Sequence, residues 1–208
     1  VLHAAPSRSM LADALAQFLA KRRWTRWMLI EGQGEGDAAF ADALRAAAEK
    51  FGHDLVSEKV WAFDADMRRN AAQEAPLFTQ GPEHDVVVVA DEREDWARYL
   101  PYNTWEARPI AGSEGLTPVA WAPVVEQWGA AQLQSRFEET AGRGMRSEDY
   151  AAWVAMRSVG EAVTRTGAAD AATLRAYLLS PEFELAAFKG RPVTYRTWNG
   201  QLRQPIPL

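Results

Sequence analysis

Val86-Val87-Val88-Val89 is a run of four β-branched apolar residues with no polar position on either side of the pleat. A strand with one wet face alternates apolar and polar side chains. This one has to be covered on both faces, as in a parallel sheet sandwiched between helices. Trp27-Met28-Leu29-Ile30 repeats the pattern, and the segments around both runs carry the helical period instead. Ser7 is placed to cap a helix whose apolar face is Leu11, Leu15, Phe18 and Leu19 and which ends at Lys21-Arg22-Arg23. A second helix begins at Asp37, carries Phe40, Leu44, Ala47 and Phe51 on one side, and stops at Gly52. A strand over 55–61, a polar helix over 66–78, a short helix over 94–99 and a last strand over 108–112 continue the alternation. Strands separated by helices imply right-handed crossovers, with ligands outside the carboxyl ends of the strands. The loops to watch are Glu31 to Gly36, Asp91-Glu92 and Ser113 to Gly115.

From Pro123 the pattern changes. Residues 125–140, 147–166 and 171–179 read as three helices with no strand between them. In the second, Tyr150, Trp153, Val154 and Val163 recur at helical spacing, with Ser147 as cap and Gly167 as stop. At the end, Pro192 to Trp198 and Gln201 to Gln204 flank Asn199-Gly200, a type I′ hairpin signal. Three helices with wide apolar faces thus have no sheet of their own. The chain opens on Val1 rather than Met, so it is expected to be the rear portion of a longer protein.

Composition narrows the function classes. A net charge of -5 argues against a nucleic-acid surface, which needs a basic excess. No apolar run approaches the roughly 20 residues that span a bilayer. The absence of cysteine excludes thiolate nucleophiles, disulfides and Cys-ligated metals. Nine Trp are expected mostly in cores, with a minority free to form a platform for a flat ligand.

Several motifs fail a chemical test. Gly32-Gln33-Gly34-Glu35-Gly36-Asp37 stands where a dinucleotide fingerprint would, but Asp37 replaces its last Gly or Ala, and Glu31, Glu35 and Asp37 would repel a pyrophosphate. Ala111-Gly112-Ser113-Glu114-Gly115 lacks the spacing of a nucleophile elbow. His3, His53 and His84 have no metal-pair spacing and are expected in exposed loops. Asp91 and Glu92 stand at a strand's carboxyl end, without a nucleophile or metal motif beside them, which suits capping or hydrogen bonding to a ligand better than acid–base work. No catalytic residue and no metal is expected.

Two loops carry recognition chemistry. Tyr102, Asn103, Trp105 and Arg108 crowd two aromatics, an amide and a guanidinium into one, and Arg143 and Arg146 precede a helix in the other. Aromatic faces stack on planar rings and Arg offers forked donors to carboxylates, so the mixture suits a planar anion. With Asp91, Glu92, Ser113 and Glu114 at the strand ends, and with Ser7 and Trp121, these residues make the candidate solute-binding set.

His3-Ala4-Ala5-Pro6-Ser7, Asp85 to Asp91, Tyr150-Ala151-Ala152-Trp153 and Asn199-Gly200-Gln201 resemble the corresponding stretches of type I periplasmic binding proteins, the branched-chain amino-acid receptor group of ABC transporter substrate-binding proteins. Tyr102-Asn103-Thr104-Trp105, Arg108 to Gly112, Trp128-Gly129-Ala130, Gln132-Leu133-Gln134, Phe188 to Arg191 and Gln201 to Pro205 are similar to the branch associated with pyrroloquinoline quinone (PQQ)-dependent alcohol oxidation. The resemblance implies an α/β fold with one Rossmann-like lobe bearing a parallel sheet, over 7–119 with the return hairpin 190–208, plus the helical remainder of a truncated first lobe over 123–187. It implies a periplasmic protein that captures a small solute in an interlobe cleft by hinge closure and delivers it to a membrane permease, with no cofactor. PQQ or a related compound is the solute so implied. The missing lobe, or another chain, is expected to cover 123–187. A ligand-sensing domain of a receptor is the alternative, and an enzyme using Asp91, Glu92 and Ser113 a third.

Overall fold

The computed structural model describes residues 1–62 and 67–208, the side chains of 67–72 excepted. The chain divides into two units, a helical one of Val1–Ser7 with Val119–Pro207 and an α/β one of Arg8–Pro118 with Leu208.

In the α/β unit, α1 (Arg8–Arg22), β1 (Arg26–Glu31), α2 (Glu35–Phe51), β2 (Asp54–Val60), α3 (Met67–Phe78), β3 (Val86–Ala90) and β4 (Ile110–Gly112) follow one another. All strand pairs are parallel and the sheet order is β2-β1-β3-β4. The two wholly apolar runs, β1 and β3, are the central strands, with every residue from Trp27 to Ile30 and from Val86 to Ala90 buried. Their side chains alternate between two cores. Trp27, Leu29, Val86 and Val88 pack with Leu15, Leu19, Phe40 and Leu44 of α1 and α2. Met28, Ile30, Val87 and Val89 pack with Trp61, Ala75, Trp96 and Leu100 on the other face. Each fully buried Leu, Ile or Val contributes about 1.5–3 kcal/mol, so these two cores carry the unit.

Three local expectations change. The helix expected from Asp66 is described from Met67; Asp66 itself lies outside the described residues. The helix expected over 94–99 is a single 3-10 turn, Ala97–Tyr99. The Asp91 carboxylate caps the backbone N–H groups of Asp95, Trp96 and Ala97, and Glu94, in the left-handed region at φ 56, cannot join a right-handed helix. His53 and His84, expected exposed, are buried. His53 stacks on Trp27 with ring centroids 4.4 Å apart, Nε2 lies 3.0 Å from Ala16 O, and burial lowers its pKa.

The helical unit contains α4 (Ala130–Ala141), α5 (Ser147–Thr166), α6 (Ala171–Leu178) and the strands β5 (Thr194–Tyr195) and β6 (Leu202–Arg203). α5 and α6 match the sequence reading, whereas the first helix was expected from 125 and begins at Ala130 after a 3-10 turn. The interruption is Trp128, whose φ of 56 cannot continue a right-handed helix. Ser147 is not the cap of α5. It is the first helical residue, and its hydroxyl accepts the Ala120 N–H at 3.1 Å, while Asp149 reaches back to the Arg146 N–H at 2.9 Å. Of the expected apolar row on α5, Tyr150 and Val154 are buried, but Val163 is exposed beside Met156 and Val159.

The closing hairpin differs in type and in place. β5 and β6 pair Thr194 with Arg203 and Tyr195 with Leu202. Of the turn residues Gly200 has positive φ and Asn199 does not, whereas type I′ needs both. Expected to return to the α/β lobe, the hairpin instead belongs to the helical unit. Val193, Tyr195 and Leu202 are buried in one cluster with Tyr150, Val154 and Phe183, and this burial fixes its place. Among the described residues no helix is long and apolar enough to cross a membrane.

Candidate functional site

In the α/β unit the strand order reverses between β1 and β3, so the crevice lies outside their carboxyl ends. What fills it is a set of internal caps. The buried Asp91 carboxylate accepts the N–H groups of Asp95, Trp96 and Ala97 at 3.1, 2.8 and 2.8 Å. Asp37, also buried, accepts from Gly34 N at 3.0 Å and Glu92 N at 2.8 Å. The glycine-rich turn therefore spends on Asp37 the donor that a phosphate would have used. Glu92 receives Arg8 through two bonds of 2.6 and 2.7 Å. Glu114 Oε1 accepts from Gly115 N at 3.2 Å.

Ser113 Oγ accepts the Asp91 N–H at 2.8 Å and donates to Val89 O at 3.2 Å. With its proton on a carbonyl, the hydroxyl has no base to activate it, and the set Asp91, Glu92 and Ser113 does not form a nucleophile–base pair. Gly112, just before it, has φ 116, and a Cβ there would stand 2.2 Å from Val89 O, so only glycine lets β4 close on β3. The crevice that remains, about 160 Å³, is lined by Leu11, Phe40, Asp91, Glu92, Glu94 and Ser113 among others. Three carboxylates make it a poor seat for an anion. The Arg8–Glu92 pair is half exposed, and pairs of this kind contribute less than about 1 kcal/mol. Arg8→Ala is thus expected to shift the urea midpoint only slightly, a result that separates this pair from the Asp91 cap.

Tyr102, Asn103, Trp105 and Arg108 do not join this crevice. Ile110 pairs with Val87 near the amino end of β3, so Arg108 lies toward the opposite edge from Asp91. Tyr102 and Trp105 are exposed, Tyr102 at φ 66. The Asn103 amide is spent on Tyr99 O and Pro101 O at 2.9 and 3.3 Å, and the Arg108 fork closes on Glu106 at 2.8 and 3.0 Å. A groove of about 580 Å³ runs past Pro101, Tyr102, Arg108 and Ile110.

In the helical unit, Arg143 is likewise closed on Asp149 at 2.6 and 2.9 Å, and the Arg146 backbone N–H serves the same carboxylate. The guanidinium forks expected to hold an anionic solute at Arg108 and Arg143 are therefore engaged with neighbouring carboxylates. Ser7 stands immediately before α1. Trp121 is the expected residue set in a well-formed pocket. Its Nε1 donates to Gln134 Oε1 at 2.8 Å, its ring stacks on Tyr150 with centroids 5.0 Å apart, and it borders a cavity of about 550 Å³. The sequence reading missed three other walls of that cavity, Trp128, Phe188 and Lys189. A lone lysine between Phe188 and Gly190, in the otherwise apolar stretch that begins at Leu185, was the available signal. Among the described residues no group of three or more His, Asp or Glu is placed to hold a metal ion.

No family model and no curated protein matches the sequence. Solved structures do match the fold. A branched-chain amino acid ABC transporter periplasmic ligand-binding protein from Burkholderia xenovorans superposes with a TM-score of 0.77 at 15% identity, covering 99% of this chain and 58% of that one. The leucine-, isoleucine-, valine-, threonine- and alanine-binding protein from Brucella ovis gives 0.75 at 13% identity, over 99% and 57%. An ABC transporter solute binding protein from R. palustris in complex with benzoate gives 0.68 at 14%, over 99% and 61%. The chain thus has the α/β fold of periplasmic binding proteins and spans about three fifths of the length of these structures.

Proposed function

We propose that this protein acts in solute capture, as the periplasmic substrate-binding component of an ABC transporter that hands a small molecule to a membrane permease. The observation that carries the reading is the likeness of fold, along 99% of the chain, to solute-binding proteins of such transporters. The local chemistry agrees with it. The buried Asp91 carboxylate and the Ser113 hydroxyl at the strand ends are consumed in capping, which leaves no nucleophile–base pair there for catalysis.

PQQ or a related planar acid is the solute we propose to try first, on the strength of the branch resemblance and of the exposed Tyr102 and Trp105. Because Arg108 and Arg143 are paired internally, a tricarboxylate would have to displace Glu106 or Asp149 to use them. Isothermal titration with PQQ is expected to give a saturable heat at tens of micromolar or below, about 6 kcal/mol or more of binding free energy. A flat titration over that range removes PQQ as the solute and leaves capture of another small molecule to be tested against amino acids and benzoates, the ligands of the structural neighbours.

A further inference from the structure

The pocket of the helical unit has the makings of a site that the transport reading does not assign. Its walls are Trp121, Val125, Trp128, Phe188 and Ile206, with Lys189 among them. At about 550 Å³ it lies within the range of small-molecule sites. The lining is mostly apolar, as such sites are, and its single cation is buried.

Two features set it apart from a surface dimple. The first is backbone strain. Trp128 and Phe188 stand at positive φ, 56 and 54, which strains a residue with a side chain, while Gly129 and Gly190, at 81 and 75, adopt it freely. A Cβ on Gly190 would stand 2.7 Å from the Trp128 ring, and one on Gly129 would stand 3.0 Å from the Phe188 ring. The two turns therefore interlock, each glycine seating the other turn's aromatic. Trp128 is 59% exposed, so within these 208 residues the strain does not serve to bury its indole. Strain of this kind gathers at ligand clamps.

The second is charge. Lys189 is 8% exposed, and its ammonium donates to Ala120 O and to Pro205 O, the latter at 3.0 Å, and lies 4.6 Å over the Tyr150 ring. Among the described residues it has no carboxylate partner, whereas buried charges are ordinarily paired. Burial has pushed its pKa down to about 8, which leaves it mostly protonated at neutral pH. The other ionisable groups are Glu126, which also lines the pocket, and the Tyr150 phenol beneath the ammonium, whose pKa burial pushes up.

We infer that this pocket binds a planar aromatic monocarboxylate, its ring between Trp121 and Trp128 and its carboxylate directed at Lys189. The inference rests on the helical unit alone and does not depend on the transport reading.

Isothermal titration of the 208-residue protein at pH 7 with 2-naphthoate and with its neutral amide tests it. The acid is expected to bind about tenfold tighter than the amide, the effect of one charge-assisted contact. Lys189→Met is expected to bring the acid down to the amide's affinity and leave the amide unchanged. Trp128→Ala, which also removes the ring seated on Gly190, is expected to weaken both by about tenfold, read on protein whose circular dichroism shows it folded. Should Lys189→Met fail to fold, the unaltered protein gives the same answer. Between pH 7 and pH 9.5 the acid loses affinity and the amide does not. Equal affinities for acid and amide, no heat from the acid up to about 1 mM, or a pH-independent preference would overturn the inference.

Discussion

Asp91→Ala is expected to lower the unfolding free energy by about 3–5 kcal/mol, with the urea midpoint falling accordingly. The carboxylate is buried and satisfies three successive backbone donors, those of Asp95, Trp96 and Ala97, and the last two residues are themselves buried. Removing it leaves the buried Trp96 and Ala97 donors without an acceptor, and each orphaned buried N–H costs about 1–3 kcal/mol. The loss also releases the turn that presents Trp96, whose ring lies parallel to Trp61 at 5.3 Å. Asp91→Asn keeps one oxygen and is expected to cost roughly half as much. A residue kept for ligand contact would show the reverse, a folded protein of unchanged midpoint and lost affinity. Asp91→Ala with native stability would therefore return this side chain to the solute-binding set.

Raising the pH from 7 to 10 is expected to stabilise the helical unit by about 2–3 kcal/mol. The pKa of Lys189 is about 8 in the folded protein against an ordinary 10.5. Over that window the unfolded chain holds the proton more tightly than the native state does. Stability therefore rises with pH from about 8 upward. Above pH 10 the trend reverses, because burial raises the pKa of Tyr150 and Tyr195 and the unfolded phenols ionise first. In Lys189→Met the rise between pH 8 and 10 is expected to disappear, and chemical denaturation across the pH series reads it directly. A rise that persists in the variant would place its origin elsewhere.

The parts of this molecule that were readable in the sequence are those whose cause is local. Val86 to Val89 could only be a doubly covered strand, and α5 and α6 carry a helical period that no distant contact overrides. What was missed was decided at a distance or by backbone handedness. The expected 94–99 helix gave way to Glu94 at positive φ, and the expected start at 125 gave way to Trp128 in a conformation that a tryptophan seldom adopts. The hairpin's place followed from Val193, Tyr195 and Leu202 joining the α5 cluster, which no local signal announces. The candidate arginines are a different case. Glu106 stands two residues from Arg108, and Asp149 six from Arg143, so their pairing was present in the sequence and was overlooked in favour of a ligand. The walls added by Lys189 and Trp128 come together only because segments far apart in the chain meet at Pro205 and Ala120.

The distribution of the nine indoles has an optical consequence. Trp27, Trp61, Trp96 and Trp121 are buried and are expected to emit at short wavelength, Trp61 and Trp96 as a pair close enough to share excitation. Trp105, Trp128 and Trp198 face solvent and make up the red edge of the spectrum, the part that iodide can reach. Of these three, only Trp128 borders the aromatic pocket of the helical unit. A change in the red, iodide-sensitive emission that is absent in Trp128→Phe therefore identifies events at that one turn, distinct from the short-wavelength response of the buried Trp121 on the other wall.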